Sequence, residues 1–479
     1  MPTLRRADLL LVPILLLAAA LRIATCDYSL WFDEIASVTF AHQAPGRLWS
    51  GWMVRESNPP LYYTMLGGWI RLFGTSDVAV RLLSVITGLT GIVAAWWLAR
   101  RIGGVRAGLF AAALLAVSAA HLDYSQEARA TMLTQTAALL GCVAMTAYLE
   151  RPRLGPLLGY VAAATVALYA HTTMALFVAL ANVAMLWLLR RDRRALGGWL
   201  AANLAVALLW SWWAWISLEQ IRAGGAGFAW IDRPSLGRAL LTTGTVYLPL
   251  YLAGEDLFVA PLLALAWIGG FAWLGLRDRR PAVGLLATLA AGAPLLLWLV
   301  SQWVPMLLER TLFWAAGPMI VLLAVALASI RARYIGPGLL AALLLVEAGA
   351  LLRWLPERES EAWPQALAAA ARIDPGGVLL AESDAMGVAA ERYLPGTGLR
   401  LVILDQPGDG FDRWAQGLAR APHVDRAGAE ALLARRGQLL VLKRSVHDPA
   451  VALDRENAEQ VFPDARDRPP TLALLRQAL

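Results

Sequence analysis

Two adjacent carboxylates follow the first long apolar run of the sequence, in the stretch Leu30-Trp31-Phe32-Asp33-Glu34-Ile35. Apolar and aromatic residues flank them on both sides. Burial and a like-charged neighbour both disfavour ionisation of a carboxyl group, which brings it towards the behaviour that a general base needs at neutral pH. The pattern therefore predicts a general base at Asp33 or Glu34. The alternative is an interfacial helix whose acidic side chains simply face water.

A second motif lies further along the same segment, at Asn58-Pro59-Pro60-Leu61-Tyr62-Tyr63. The two prolines fix a turn or a helix start, and the apolar, aromatic stretch from Leu61 to Phe73 suits a helix along the membrane interface. Such a helix can form the floor of a lipid-accessible cavity. A purely structural helix start explains the motif equally well.

A third motif, His121-Leu122-Asp123-Tyr124-Ser125-Gln126-Glu127-Ala128-Arg129, forms a short polar turn between two apolar runs. A guanidinium group stays charged and bonds phosphate oxygens bidentately. Arg129 is thus suited to hold a phosphate group and to offset the charge that builds on it as it leaves. Anchoring of a helix end or contact with lipid headgroups is the other use of such an arginine.

Two further polar residues lie at the ends of apolar runs. His171 ends one run, and it has no second histidine at metal-ligand spacing, so a hydrogen-bonded structural histidine is the simplest interpretation. Arg310 precedes another run, where it either contacts a phosphate, pairs with Glu309 or extends to the interface. The two cysteines, Cys26 and Cys142, form neither a disulfide framework nor a zinc cluster.

The composition shows which kind of chain carries these residues. The sequence has 479 residues, 58% of them apolar, and a mean hydropathy of +0.55, which is more apolar surface than a soluble core of this size buries. Lipid must therefore be part of its solvent. The net charge of +7 comes mostly from short arginine clusters between apolar runs, so it indicates membrane topology and no nucleic-acid partner.

About eleven apolar runs approach the length of roughly 20 residues that a bilayer-spanning helix needs. They lie near 8–26, 79–99, 107–122, 131–149, 155–170, 172–189, 196–216, 258–276, 282–301, 311–330 and 335–352. The arginine clusters between them all fall on one side, which predicts a cytoplasmic N-terminus. Segments 27–78 and 217–257, and everything after residue 352, are then periplasmic.

Residues 353–479 have a different character, with short Val/Leu runs separated by Gly and Pro. Strands are predicted at Val378-Leu379-Leu380, Leu399–Leu404 and Gln438–Leu442, and helices at 361–372 and 427–436. We therefore predict two domains. An α-helical, polytopic membrane domain covers 1–352, and a soluble, periplasmic α/β domain covers 353–479.

The order of these motifs resembles that in bacterial relatives of the protein O-mannosyltransferases and of the aminoarabinose transferase of lipid A. The resemblance rests on Trp31-Phe32-Asp33-Glu34, Asn58-Pro59-Pro60-Leu61-Tyr62-Tyr63, Gln126-Glu127-Ala128-Arg129 and Tyr169-Ala170-His171. Trp363 and Asp374-Pro375-Gly376-Gly377-Val378 are similar to the start of the soluble domain that many of these proteins carry. The resemblance covers most of the chain.

The resemblance implies a GT-C fold and a glycosyltransferase at the periplasmic face of the bacterial inner membrane. It implies a polyprenyl-phosphate sugar as donor, with a glycan, a lipid or a protein as acceptor. Asp33 would be the catalytic base, supported by Glu34, and Arg129 and Arg310 would bind the donor phosphate. The substrate cavity would be lined by Asn58, Tyr62, Tyr63, Gln126, Glu127 and His171.

The sequence departs from the aminoarabinose transferases at two places. Asn58 stands where they have a Lys, which puts that particular substrate in doubt, and Thr311 follows Arg310 where a Tyr is usual. No cofactor is required by the inverting displacement that we expect, although the acidic pair could hold a divalent cation. A flippase or transporter of lipid-linked saccharides is the rival function, and a membrane scaffold is a third. Transporters usually show paired repeats and broken helices near the midplane.

Overall fold

The computed structural model describes residues 6–222, 231–247, 259–357, 361–405, 414–444, 458–462 and 470–476. Nine of the described helices are long and apolar enough to cross a membrane. The predicted segment 217–257 falls partly outside the described residues, at 223–230 and 248–257.

The first half of the chain alternates long apolar helices with short ones. Its helices are α1 (Leu11–Ala24), α2 (Phe32–Ala41), α3 (Pro45–Leu48), α4 (Leu61–Phe73), α5 (Asp77–Val117), α6 (Ala119–Ser125), α7 (Thr131–Glu150), α8 (Leu154–Ala170), α9 (Ala175–Leu189) and α10 (Arg193–Arg222). The rest of the membrane domain consists of α11 (Leu236–Tyr247), α12 (Val259–Arg277), α13 (Pro281–Val300), α14 (Glu309–Leu312), α15 (Ala316–Ser329) and α16 (Ile335–Glu357).

The predicted apolar runs correspond closely to these helices. Two runs, 79–99 and 107–122, share α5, which has a kink at Gly104, where φ is +84°. Only glycine adopts this backbone conformation at little cost, so the helix changes direction there. The run at 155–170 forms α8, which is shorter than the nine spanning helices. The prediction of a polytopic helical membrane domain is confirmed.

Helices α2 and α4 are not long enough to span the membrane, and α4 packs against α2, α5 and α8. The start of α4 follows Pro59 and Pro60, as the sequence predicted. At Gly67 this helix crosses α2 so closely that a Cβ atom would lie 2.6 Å from the carbonyl oxygen of Ala41. The close crossing ties α4 to α2, which is the helix that carries the predicted base.

The C-terminal part forms a six-stranded mixed sheet with helices on both faces, which confirms the α/β prediction. The strands are β1 (Val378–Ala381), β2 (Arg400–Leu404), β3 (His423–Val424), β4 (Gln438–Lys443), β5 (Ala458–Phe462) and β6 (Thr471–Arg476), in the order β3-β2-β1-β4-β6-β5. The first four pair in parallel, and β6 pairs antiparallel to both β4 and β5. The helices are α17 (Trp363–Ile373), α18 (Asp384–Tyr393) and α19 (Arg426–Arg436).

Alternate residues of the central strands enter two different apolar cores. Leu380 and Val441 pack with α19 on one face of the sheet. Leu379 and Leu440 belong to a larger cluster that also contains residues of α2, α4, α17 and α18. The C-terminal α/β part and the segment after α1 therefore share one continuous core.

Candidate active site

Asp33 lies in the first turn of α2, and its carboxylate lies between two arginines from different parts of the chain. Its Oδ2 atom is 3.3 Å from Nη2 of Arg129 and 3.2 Å from Nη1 of Arg310. The Asp33 side chain is 20% exposed, and those of Arg129 and Arg310 are 13% and 28% exposed. The structure thus brings together three residues that the sequence singled out separately.

Arg129 is held against α2 by its own hydrogen bonds. Its Nη1 atom donates to the carbonyl oxygen of Asp33 at 3.2 Å. Burial alone would lower the pKa of Arg129, but nearby acidic groups, Asp33 foremost, raise it above its ordinary value. The guanidinium group is therefore a permanent positive charge. Arg310, in the short helix α14, pairs with Asp33.

A small cavity lies beside this cluster. Six of the residues that line it were predicted from the sequence, namely Asn58, Tyr62, Tyr63, Arg129, His171 and Arg310; the others are Ser37, Pro59, Ala130 and Thr131. Polar groups thus meet apolar and aromatic walls, as expected of a site for an amphiphilic ligand. The Tyr62 hydroxyl bonds to that of Ser84 at 2.8 Å, which fixes one wall against α5.

His171 caps the end of α8 and adds a neutral polar group to the cavity wall. Its Nδ1 atom accepts a hydrogen bond from the backbone N–H of Thr173 at 3.2 Å. Burial first, and then the positive charges of Arg129 and Arg310, lower the pKa of His171 to about 3. The neutral ring that accepts at Nδ1 must carry its proton on Nε2, so His171 is a hydrogen-bond donor.

Glu56 is a buried acidic group of the site that the sequence prediction missed. It accepts hydrogen bonds from the backbone N–H and the side-chain amide of Asn58, at 2.9 Å and 2.6 Å. Burial raises its pKa, although the charge of Arg129 acts in the opposite direction. Its position two residues before the Asn-Pro-Pro motif was the available signal. Glu56 holds Asn58 in place at the cavity.

Glu34 does not share the arginine partners of Asp33. It is fully buried and pairs with Arg81 of α5, at 2.8 Å from Nε and 2.5 Å from Nη2. Its Oε1 atom also accepts the backbone N–H of Ala128 at 2.8 Å. That Glu34 supports the base stays a prediction, and these contacts indicate an indirect route for that support. Glu34 anchors the turn that carries Arg129.

Arg81 is the second residue that sequence reasoning overlooked. Besides Glu34, its guanidinium group binds the carbonyl oxygens of Cys26, Tyr28 and Ser29. A charged residue within an apolar run is costly and therefore informative, and this was the signal that could have identified it. The Arg81–Glu34 pair joins α5 to the segment before α2 and to the turn after α6.

The acidic pair does not form a cation site. Oxygen atoms of Glu34 are already bound by Arg81 and by backbone N–H groups, while Asp33 faces two guanidinium groups. Within the described ranges no three His, Cys, Asp or Glu residues come together as metal ligands. The divalent cation that the sequence allowed at Asp33 and Glu34 does not fit this arrangement.

Gln126 and Glu127 lie beside the cluster and do not line the cavity. The Gln126 amide donates to the carbonyl oxygen of Arg22 at 2.5 Å and to Oγ1 of Thr25 at 2.7 Å, which holds the turn against α1. Burial, with Asp123 and Glu34 nearby, raises the pKa of Glu127 well above its ordinary value. We therefore expect these two residues to support the position of Arg129.

Known proteins resemble this chain in sequence and in structure. Residues 57–215, less than half of the chain, match the dolichyl-phosphate-mannose-protein mannosyltransferase family. No curated protein sequence matches the chain.

Solved structures resemble the chain over almost its whole length. Two are those of ArnT from Cupriavidus metallidurans, each 16% identical and covering 97% of both chains. The TM-score is 0.61 for the apo state and 0.59 for the state bound to undecaprenyl phosphate. A third is the Archaeoglobus fulgidus oligosaccharyltransferase tethered with an acceptor peptide, with 12% identity, a TM-score of 0.50, and coverage of 91% of this chain and 68% of that one. The chain therefore has the GT-C fold of multi-pass membrane glycosyltransferases.

Proposed function

We propose that this protein transfers a sugar from a polyprenyl-phosphate donor to an acceptor at the periplasmic face of the bacterial inner membrane. One observation carries the proposal. The Asp33 carboxylate lies between the guanidinium groups of Arg129 and Arg310, and both arginines line a partly aromatic cavity. A base and two phosphate-binding cations are the groups that displacement at an anomeric carbon of a sugar phosphate requires.

The proposed reaction is a single displacement. Asp33 accepts the proton of the acceptor hydroxyl as its oxygen forms the new bond to the anomeric carbon. The bond between that carbon and the phosphate oxygen breaks, and its electron pair stays on the phosphate. Attack from the face opposite the leaving group inverts the anomeric configuration, and no covalent sugar intermediate forms.

The arginines bind the leaving group more strongly than the donor. The donor phosphate is a diester with one negative charge, and the product is a monoester that gains charge as the bond breaks. Arg129 and Arg310 therefore stabilise the transition state more than the bound donor, which is the condition for catalysis.

Asp33 occupies the place at the arginines that a phosphate oxygen would take. A bound donor competes with Asp33 for the two guanidinium groups. We expect this competition to release the carboxylate oxygen, which then faces the acceptor hydroxyl. Donor binding would thus precede the activation of the acceptor.

The relatives support this proposal without naming the substrate. One ArnT structure contains undecaprenyl phosphate, which is a polyprenyl phosphate, and the oligosaccharyltransferase structure contains an acceptor peptide. The matching family is described as using dolichyl-phosphate-mannose, which is a sugar on a lipid phosphate. The acceptor of this protein is a protein, a glycan or a lipid with a free nucleophile.

The test is sugar transfer by the purified protein in detergent, over a panel of labelled polyprenyl-phosphate sugars and acceptors. We expect transfer that Asp33→Asn abolishes. Detergent removes any need for translocation, so a flippase would show no transfer under these conditions. Movement of lipid-linked sugars across liposomes, together with no transfer over the whole panel, would overturn the proposal.

The proposed membrane side needs its own experiment. The arginine clusters predict a cytoplasmic N-terminus and a periplasmic C-terminal domain. An alkaline phosphatase fusion after Arg400, in β2, should therefore be active. A well-expressed but inactive fusion would place the soluble domain in the cytoplasm.

A further inference from the structure

The described residues 25–31 join α1 to α2 and form neither a helix nor a strand, so their backbone groups need partners from elsewhere in the chain. Arg81 of α5 binds three carbonyl oxygens of this segment. The N–H group of Leu30 has a different partner. It donates to the hydroxyl oxygen of Tyr393 at 2.8 Å. The last residue of α18 thus binds the segment that leads into α2.

The hydroxyl group of Tyr393 also binds the start of α5. It donates to Oδ2 of Asp77 at 2.9 Å. Burial first, and then the charge of Asp77, raise the pKa of this hydroxyl above its ordinary value, so it keeps its proton. A neutral phenol has one proton to donate and lone pairs that accept a second bond. Tyr393 can therefore join a carboxylate to a backbone N–H group.

Asp77 is fixed in turn by Arg392, the residue before Tyr393. Its Oδ1 atom accepts hydrogen bonds from Nη2 of Arg392 at 2.5 Å and from Nε at 3.2 Å. The same Nη2 atom donates to the carbonyl oxygen of Thr75 at 2.7 Å. Asp77 lies in the first turn of α5, where the helix dipole favours an acidic group. Two adjacent residues of α18 therefore bind one carboxylate at the start of α5.

Asp77 and Arg81 are four residues apart on α5, so they lie on the same face of this helix. Arg81 donates to carbonyl oxygens of the segment before α2. Asp77 binds the N–H group of Leu30 through the hydroxyl of Tyr393. The start of α5 thus holds backbone acceptors directly and a backbone donor indirectly. The C-terminal α/β part supplies the hydroxyl group that makes the second contact possible.

The segment held in this way leads directly to Asp33. Leu30 is fully buried and lies three residues before Asp33, and Trp31 directly precedes α2. A shift of this segment would change the distances of 3.3 and 3.2 Å from Asp33 to Arg129 and Arg310. A displacement of about 1 Å at a reacting group can lower turnover about 100-fold. The hydrogen bond at Leu30 therefore bears on turnover as well as on stability.

We propose that Tyr393 is a positioning residue for Asp33, whose hydroxyl group joins the N–H of Leu30 to the carboxylate of Asp77 and thereby fixes the segment that leads into α2. This inference rests on the proposed function of Asp33 as the base. It gives the C-terminal α/β part a role in turnover, because this part supplies the partner of the Leu30 N–H group.

Two substitutions at adjacent positions separate this contact from the docking of the C-terminal part in general. Tyr393→Phe keeps the ring and removes both hydrogen bonds of the hydroxyl. Arg392→Gln removes the ion pair with Asp77 and leaves the hydroxyl in place. We expect Tyr393→Phe to lower kcat about 10-fold with the donor KM unchanged, because Asp33 shifts while the phosphate-binding arginines stay available. The matched control, Arg392→Gln, should retain more than half of wild-type kcat.

A second measurement does not depend on transfer activity. Hydrogen exchange at the amide of Leu30, followed in peptides that cover residues 28–36, should be faster in Tyr393→Phe than in wild type. It should stay near wild type in Arg392→Gln. The unfolding midpoint of each variant is measured alongside, and kcat is expressed per folded molecule, so that a loss of folded protein is not counted as a loss of turnover.

Three outcomes overturn the proposal. One is unchanged exchange at Leu30 in Tyr393→Phe, and another is faster exchange there with wild-type kcat. The third is a loss of kcat in Arg392→Gln as large as that in Tyr393→Phe, which would show that docking of the C-terminal part as a whole sets the rate. Absence of transfer by the wild type would overturn the proposed function alone, because the exchange experiment would still test the contact at Leu30.

Discussion

Asp33 and Glu34 are adjacent in sequence and have opposite surroundings. Asp33 is 20% exposed and makes its two ion pairs at 3.2 and 3.3 Å, beside a cavity. Glu34 is fully buried, pairs with a fully buried arginine at 2.5 Å and also accepts backbone N–H groups. A ligand can replace the contacts of the Asp33 carboxylate. The Glu34 carboxylate is enclosed by contacts that hold the fold together.

The helix explains why two neighbours diverge in this way. With 3.6 residues per turn, successive side chains point about 100° apart, so they cannot face the same cavity. Asp33 points to Arg129 and Arg310, which line the cavity, and Glu34 points to Arg81 of α5. Of two adjacent acidic residues on a helix, one is therefore a candidate for catalysis and the other for a structural role.

The largest expected effect is a loss of turnover, and it should be much larger for a substitution of Asp33 than for one of Glu34. Asp33→Asn removes the proton acceptor, and general bases contribute about 10²- to 10⁴-fold, so we expect kcat to fall by that factor. Donor affinity should not weaken, because the substitution leaves Arg129 and Arg310 available for phosphate. Measurements of kcat and of donor binding check both parts. Wild-type turnover, where chemistry limits the rate, would show that Asp33 is not the base.

The complementary prediction concerns stability. Removing one partner from a buried ion pair costs about 3–5 kcal/mol, because a charge is left buried without its counterion. Glu34→Gln should therefore lower the thermal unfolding midpoint clearly, whereas Asp33→Asn, whose arginine partners are partly exposed, should lower it less. The loss of kcat per folded molecule should be milder for Glu34→Gln. A midpoint that Asp33→Asn lowers as much as Glu34→Gln does would contradict the division between the two residues.

Arg129 should show an intermediate effect, on binding and chemistry together. A charge-assisted hydrogen bond contributes about 1.5–3 kcal/mol, so Arg129→Ala should weaken donor binding and also slow the chemical step, each about 10-fold or more. Arg129→Lys should restore only part of the loss, because a single ammonium cannot bond two oxygens as the fork does. Donor titrations and single-turnover rates distinguish the two contributions. A change confined to donor binding would argue against a role in leaving-group departure.

The sequence predicted the membrane helices well, because apolar length and arginine clusters are local signals. It also selected six residues of the cavity wall, since polar groups beside apolar runs are unusual. It could not show that Glu34 turns towards Arg81, because this pairing joins residues 47 positions apart. The sequence also could not show that the C-terminal sheet shares an apolar core with α2 and α4, because that packing depends on how two separately predicted parts dock.

The smallest expected effect concerns His171, and it tests whether the neutral donor of the cavity matters. His171→Asn keeps an acceptor for Thr173 but removes the Nε2–H group, whereas His171→Gln places an N–H near the position of Nε2. We expect the donor KM to rise about 3- to 10-fold in His171→Asn and less in His171→Gln.

The pH dependence of the same variants gives a sharper test, because the pKa of His171 is lowered to about 3 by burial and by the two arginines. The ring is then neutral from pH 5 to 8, and the pH–rate profiles of wild type and His171→Asn should have the same shape over this range. In the unfolded chain a histidine binds a proton below about pH 6.5, so the folded state loses stability as the pH falls below that value. The unfolding midpoint should therefore drop more between pH 7 and pH 5 in wild type than in His171→Asn. If an acidic limb of the wild-type rate profile disappears in His171→Asn, the histidine titrates in the working enzyme, and its assignment as a permanently neutral donor beside Asp33 is wrong.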